Sequence, residues 1–177
     1  MKNIQTAIIN LVITFLASTT ILFAAESGDK DVDLPAGCGQ IKVEEGNKLA
    51  FKAYATGVQV YRWNGNSWAF VAPVANLYAD EGFNGLVGTH YAGPTWEGNG
   101  GSKVVGARVD GCTPDPTAVQ WLLLRAVTAE GPGIFHRITF IQRLNTVGGI
   151  APSTPGANVG DEARIPYTTE YYFYRAK

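Results

Sequence analysis

Beyond the first twenty-five residues, no window of eleven residues keeps an apolar repeat of 3.6. The chain is cut instead into short runs that alternate apolar and polar residues, each closed by glycine, proline or asparagine. A chain punctuated in this way cannot build long helices, and its strands need closure or a second layer to protect their edges. The breaks fall at Asp80 to Gly85, Gly98 to Gly101, Cys112 to Pro116, Gly131 to Gly133 and Gly148 to Gly160. Between them, strands are expected at Ile41 to Val43, Leu49 to Ala53, Val58 to Trp63, Trp68 to Val71, Ala75 to Tyr78, Leu86 to Tyr91, Lys103 to Val109, Val119 to Val127, Ile138 to Leu144 and Tyr167 to Tyr174. The clearest hairpin sets Val58 and Val60 on one face and Gln59, Tyr61 and Trp63 on the other. Asn64-Gly65 supplies the positive φ of its tight turn, and Trp68 leads the return. The expected fold is all-β, a single-domain antiparallel β-sandwich or partly closed barrel of about nine or ten short strands, with the choice between the two left open.

The N-terminus is a separate physical object. Lys2 is the only charge before Glu26, and Ile4 to Ala25 is apolar apart from Gln5, Asn10 and scattered Thr and Ser. Small residues at Ala24, Ala25 and Ser27 precede a charged stretch, which is the pattern of a secretory signal. The expected organisation is a signal peptide over 1–27, a flexible lead-in over 28–37 and a β domain over 38–177. A retained anchor is the alternative, since the run nearly spans about 30 Å of hydrocarbon. Cleavage leaves no stable membrane span and an exported chain, periplasmic or extracellular. There, two cysteines, Cys38 and Cys112, are expected to pair, two buried thiols being the other use. Closing a loop of that length restrains the unfolded chain by about 4–5 kcal/mol in the entropy account.

Charge excludes one class of partner. Fourteen lysines and arginines against fifteen acidic residues offer no basic excess to hold nucleic acid. No G-x-S-x-G, P-loop, H-E-x-x-H or C-x-x-C motif occurs. His90 and His136 are the only histidines, too thin a supply for a metal site, and no cofactor is expected. The densest polar and aromatic stretch, Gly88 to Glu97, turns at Gly93-Pro94 and brings together His90, Tyr91, Trp96 and Glu97. These are the groups that grip a polar ring such as a sugar; the same residues also make a structural corner. A second cluster runs from Gln142 to Gly149. Arg143 and Asn145 there are candidates to hold a carboxylate or phosphate, the structural alternative being an Arg143 pair with Asp110, Glu97 or Glu170. Tyr171 to Tyr174 is read as straddling a core face and a wet face.

Several stretches are similar to the family known as domain of unknown function 3455, found in exported bacterial and fungal proteins. They are Gly57-Val58-Gln59-Val60-Tyr61, Trp68 to Pro73, Gly88-Thr89-His90-Tyr91-Ala92-Gly93-Pro94-Thr95-Trp96-Glu97, Gly101 to Gly106, Trp121 to Leu124, Gln142-Arg143-Leu144-Asn145-Thr146-Val147-Gly148-Gly149 and Val159 through Tyr174. The resemblance implies export and a β domain and brings no activity with it. Many relatives carry a cysteine after the Gly-Gly-x-Ala-Pro segment where this chain runs Ser153-Thr154-Pro155-Gly156-Ala157, a departure that weakens the transfer of any family disulfide pattern. The leading expectation is a small-ligand-binding or structural β module with any small polar ligand or sugar near His90 to Glu97. The alternatives are a small secreted hydrolase using His90 and Glu97 for acid–base work, and an outer-membrane barrel.

Overall fold

The computed structural model describes residues 32–177; the expected signal peptide and the start of the lead-in lie outside the described residues. Eight strands follow one another: β1 (Asn47–Trp63), β2 (Trp68–Tyr78), β3 (Leu86–Tyr91), β4 (Thr95–Gly98), β5 (Lys103–Cys112), β6 (Trp121–Glu130), β7 (Ile138–Gly148) and β8 (Glu162–Ala176). Each pairs antiparallel with its neighbour in sequence, and β8 returns to pair with β1 from Asn47↔Ala176 to Arg62↔Glu162. The result is a barrel, not a sandwich. It is irregular, because β6 and β7 are joined only from Leu122↔Arg143 to Arg125↔Phe140 and β3 and β4 stop short of the others.

Eight strands replace the nine or ten expected, for physical reasons that differ from place to place. Gly57 does not turn the chain. A Cβ there would stand 2.2 Å from the Val74 carbonyl oxygen, so glycine lets β2 lie close and β1 runs on unbroken. Pro73 likewise sits inside β2 and does not end it. Ile41 belongs to a single 3-10 turn, Gly39–Ile41, that crosses the outside of the barrel and joins no ladder, while Thr95–Gly98 is a strand that the reading as a corner missed. The Trp63–Trp68 hairpin is present, but its loop spans four residues. Asn64 closes it through its side chain, Oδ1 accepting from the Asn66 and Ser67 amides at 2.9 Å, and Gly65 alone carries a positive φ of 96°.

Alternation places Ala53, Ala55, Leu77, Val104, Leu124, Ile141, Tyr171 and Phe173 inside the ring. Phe135, from the β6–β7 connection, is fully buried against Phe51 and Phe173 and plugs the lower end. A second apolar cluster lies outside. Val32, Leu34 and Ile41 pack there over Leu123, Phe140 and Leu144, tied down by the Cys38–Cys112 disulfide, whose Cα atoms are 5.4 Å apart. Elsewhere the outer wall carries ion pairs, Lys52–Glu170 at 3.4 Å in mid-strand, where a lipid-spanning barrel would need an apolar band, and Lys103–Glu97 at 3.3 Å at the β4–β5 turn. Among the described residues no helix is long and apolar enough to cross a membrane.

Candidate functional site

The wall has a notch. The β2–β3 ladder ends at Ala75↔His90 and the β4–β5 ladder at Thr95↔Val105, with one further link from the Gly106 amide to the Pro94 carbonyl at 3.0 Å. Beyond those points β2 continues to Trp68 and β5 to Cys112 with only the Tyr91–Thr95 corner beneath them. Gly93, at φ 88°, makes that corner sharp. A hollow of about 240 Å³ opens there, bordered by Phe70, Val71 and Pro73 on one side and Arg108, Leu122 and Arg143 on the other.

His90, Trp96 and Tyr171 line its inner side. The register pairs His90 with Trp96, so both turn inward, and their rings stack at 4.4 Å and 10°, with Tyr171 edge-on to each at 5.1 and 5.3 Å. His90 Nδ1 lies 2.8 Å from the Thr95 carbonyl oxygen. A carbonyl only accepts, so Nδ1 carries the proton and Nε2 keeps a lone pair. Burial pushes the imidazole pKa down to about 3, against the pull of the Thr95 bond and with help from the Arg143 charge, and the ring is neutral at physiological pH. Trp96 Nε1 is buried and makes no hydrogen bond within the protein, while Tyr171 Oη, Tyr167 Oη and Gln59 Nε2, also buried, lie close to one another and to Arg143 without reaching good hydrogen-bond geometry. Burial raises the pKa of both tyrosines, the Arg143 charge opposing it in each, so they stay protonated.

A wider vestibule of about 510 Å³ sits above, and Phe70, Arg108, Leu122 and Arg143 border both spaces. Arg143 donates from Nε and one terminal nitrogen to the Gln120 carbonyl at 3.0 and 2.8 Å; Arg108 donates to the Gln120 side-chain oxygen at 3.1 Å. Gln120 Nε2 in turn donates to Thr113 Oγ1 at 3.1 Å, which fixes the amide orientation. Asp110, Glu97 and Glu170 do not partner Arg143: among the described residues neither Arg143 nor Arg108 has an ion pair.

The candidate residues therefore fall in two groups. His90, Trp96 and Arg143 border one hollow. Tyr91 and Glu97 face outward, where the Tyr91 hydroxyl donates to Glu97 and Lys103 joins them. Asn145 lies exposed on the irregular stretch of β7 with φ 51°. His90 and Glu97 are thus separated by the sheet itself and share no face for acid–base work. Among the described residues no three His, Cys, Asp or Glu side chains gather to hold a metal. Sequence reasoning missed Arg108, Gln120, Gln59 and Tyr167. Gln59 and Tyr167 had a signal, polar groups at inward positions of otherwise apolar strands; Arg108 and Gln120 had none, since only the ring brings them to Arg143.

No curated protein and no solved structure matches the chain. The match to the family described as Protein of unknown function (DUF3455) runs over residues 44–175, from just before β1 to the penultimate residue of β8, and with nearly the whole barrel covered the chain belongs to that family.

Proposed function

We propose that this is an exported small-ligand-binding module whose ligand sits in the hollow behind the notch. The observation that carries the reading is the combination of a hollow in the barrel wall with a buried polar group beside it, Trp96 Nε1, that the protein leaves without a hydrogen-bond partner. Native interiors rarely leave such groups unpaired, and a ligand or water is their usual partner. The stacked His90–Trp96 pair offers an aromatic wall and a lone pair at Nε2. At about 30 Å³ per water the hollow holds about eight water-sized volumes, which suits a single small ring. The disulfide supports action in an oxidising compartment. The hydrolase reading gains no support, since His90 and Glu97 stand on opposite faces.

A thermal-shift screen of small ring compounds on the chain lacking residues 1–27 tests this. A ligand at a hundred times its Kd should stabilise by about 2.7 kcal/mol. Leu122→Trp, which fills the hollow, should abolish the shift while keeping the far-UV spectrum. Compounds that stabilise the filled variant equally well would place their site elsewhere and defeat the reading.

A further inference from the structure

We infer that the ligand is an anion, a carboxylate on a compact apolar body, clamped by Arg108 and Arg143 at the junction of hollow and vestibule; this rests on the ligand-binding reading above. Two guanidinium groups are held by one residue, Gln120, through its backbone carbonyl and its side-chain oxygen. Pinning two like charges to one anchor without a carboxylate is unfavourable in the empty site and becomes favourable when an anion enters between them. Gln120 takes two of the five N–H groups of Arg143 and one of the five of Arg108, and with Tyr171 close to Arg143 most of the donors still remain available. The remaining donors suit the planar, two-oxygen geometry of a carboxylate.

The other polar groups nearby are mostly donors, His90 Nε2 being an acceptor. Trp96 Nε1 and Gln59 Nε2 only donate, and the Tyr167 and Tyr171 hydroxyls can donate. No Asp or Glu borders either space, so no carboxylate there repels an anion or welcomes a cation. The body of the ligand meets apolar surface. Phe70 is 55% exposed and Val71 44% exposed at the notch, and Leu122 and Pro73 extend the same wall. Free phosphate would satisfy the arginines and leave this wall unused; a carboxylate carrying a ring or short chain uses both.

The test is isothermal titration of the chain lacking residues 1–27 with phenylacetate, with its neutral isostere phenylacetamide and with inorganic phosphate. Phenylacetate should bind at least tenfold more tightly than either. Arg108→Gln and Arg143→Gln should each weaken it at least tenfold, and Gln120→Ala, which frees Arg108 from its side-chain acceptor while the backbone carbonyl still holds Arg143, should weaken it while leaving the thermal midpoint closer to wild type than Arg143→Gln does. Acid and amide binding equally would overturn the anionic assignment and leave the hollow as a site for neutral ligands. Phosphate binding as tightly as phenylacetate would overturn the apolar body. No binding of any of the three, together with no stabilising compound in the thermal-shift screen, would remove the ligand-binding reading itself.

Discussion

At the scale of single residues, His90 shows how one buried group couples stability to pH. It is 3% exposed and its folded pKa lies near 3, well below the ordinary 6.5. The unfolded chain therefore binds a proton that the folded chain refuses between those values. The stability this contributes is complete above about pH 6.5 and is lost as pH falls toward 3, at up to about 1.4 kcal/mol per pH unit. Urea midpoints measured from pH 7 to 4 should fall less steeply for His90→Gln than for wild type; parallel slopes would mean that His90 takes up its proton without unfolding. Gly57 makes the opposite kind of statement, about space. An added Cβ meets the Val74 oxygen at 2.2 Å and Ala75 Cα at 2.5 Å, both backbone or backbone-fixed. Gly57→Ala should cost about 1–3 kcal/mol by urea denaturation, the usual range for overpacking, and a neutral result would show that β1 and β2 can part without loss.

At the scale of elements, the 3-10 turn and the lead-in act as a clasp on the outer wall. Ile41 is fully buried, its carbonyl accepts from Gln142 Nε2 at 2.7 Å, and Gln142 Oε1 accepts from the Tyr174 hydroxyl at 2.6 Å, so a polar chain ties the clasp to β7 and β8. The disulfide fastens the same segment to the end of β5. A Cys38→Ser/Cys112→Ser protein should lose about 2–5 kcal/mol. Its ring hydrogen bonds need not change, so the far-UV spectrum should stay that of the parent while amide exchange rises at residues 38–43. Loss of the β spectrum would make the clasp part of the barrel's own integrity. The short β3–β4 hairpin is the other decisive element: four residues in β4 are what leave β2 and β5 apart above it.

For the whole molecule, closure is the organising fact. The ring is completed only when Asn47 meets Ala176, the most distant pairing in the β sheet. Pairings so remote in sequence are slow to form, because the loop-closure entropy comes before the contacts. Refolding of the disulfide-bonded chain should therefore run in milliseconds to seconds, read by stopped-flow tryptophan fluorescence; completion within microseconds would contradict closure as the limiting event. A closed ring also explains why the core is apolar while the Lys52–Glu170 and Lys103–Glu97 ion pairs sit outside, and the notch in it lies beside the proposed site.

Local chemistry carried much of this into the sequence. Alternation in Tyr171 to Tyr174 already separated Tyr171 and Phe173, now inside, from Tyr172 and Tyr174, now outside, because strand side chains alternate by geometry alone. The Trp63–Trp68 hairpin was legible in Asn64-Gly65, and the pairing of Cys38 with Cys112 in their number and expected compartment. Other features depended on registers between strands far apart in sequence, where a shift of one residue exchanges the two faces. Those registers set His90 and Trp96 inward and Glu97 outward, and they carried β1 through Gly57. They also brought Arg108, Arg143 and Gln120, from three different segments, to one place. Composition and periodicity were enough to make this chain a β domain; only the closing of the sheet on itself decided which of its polar residues share a site.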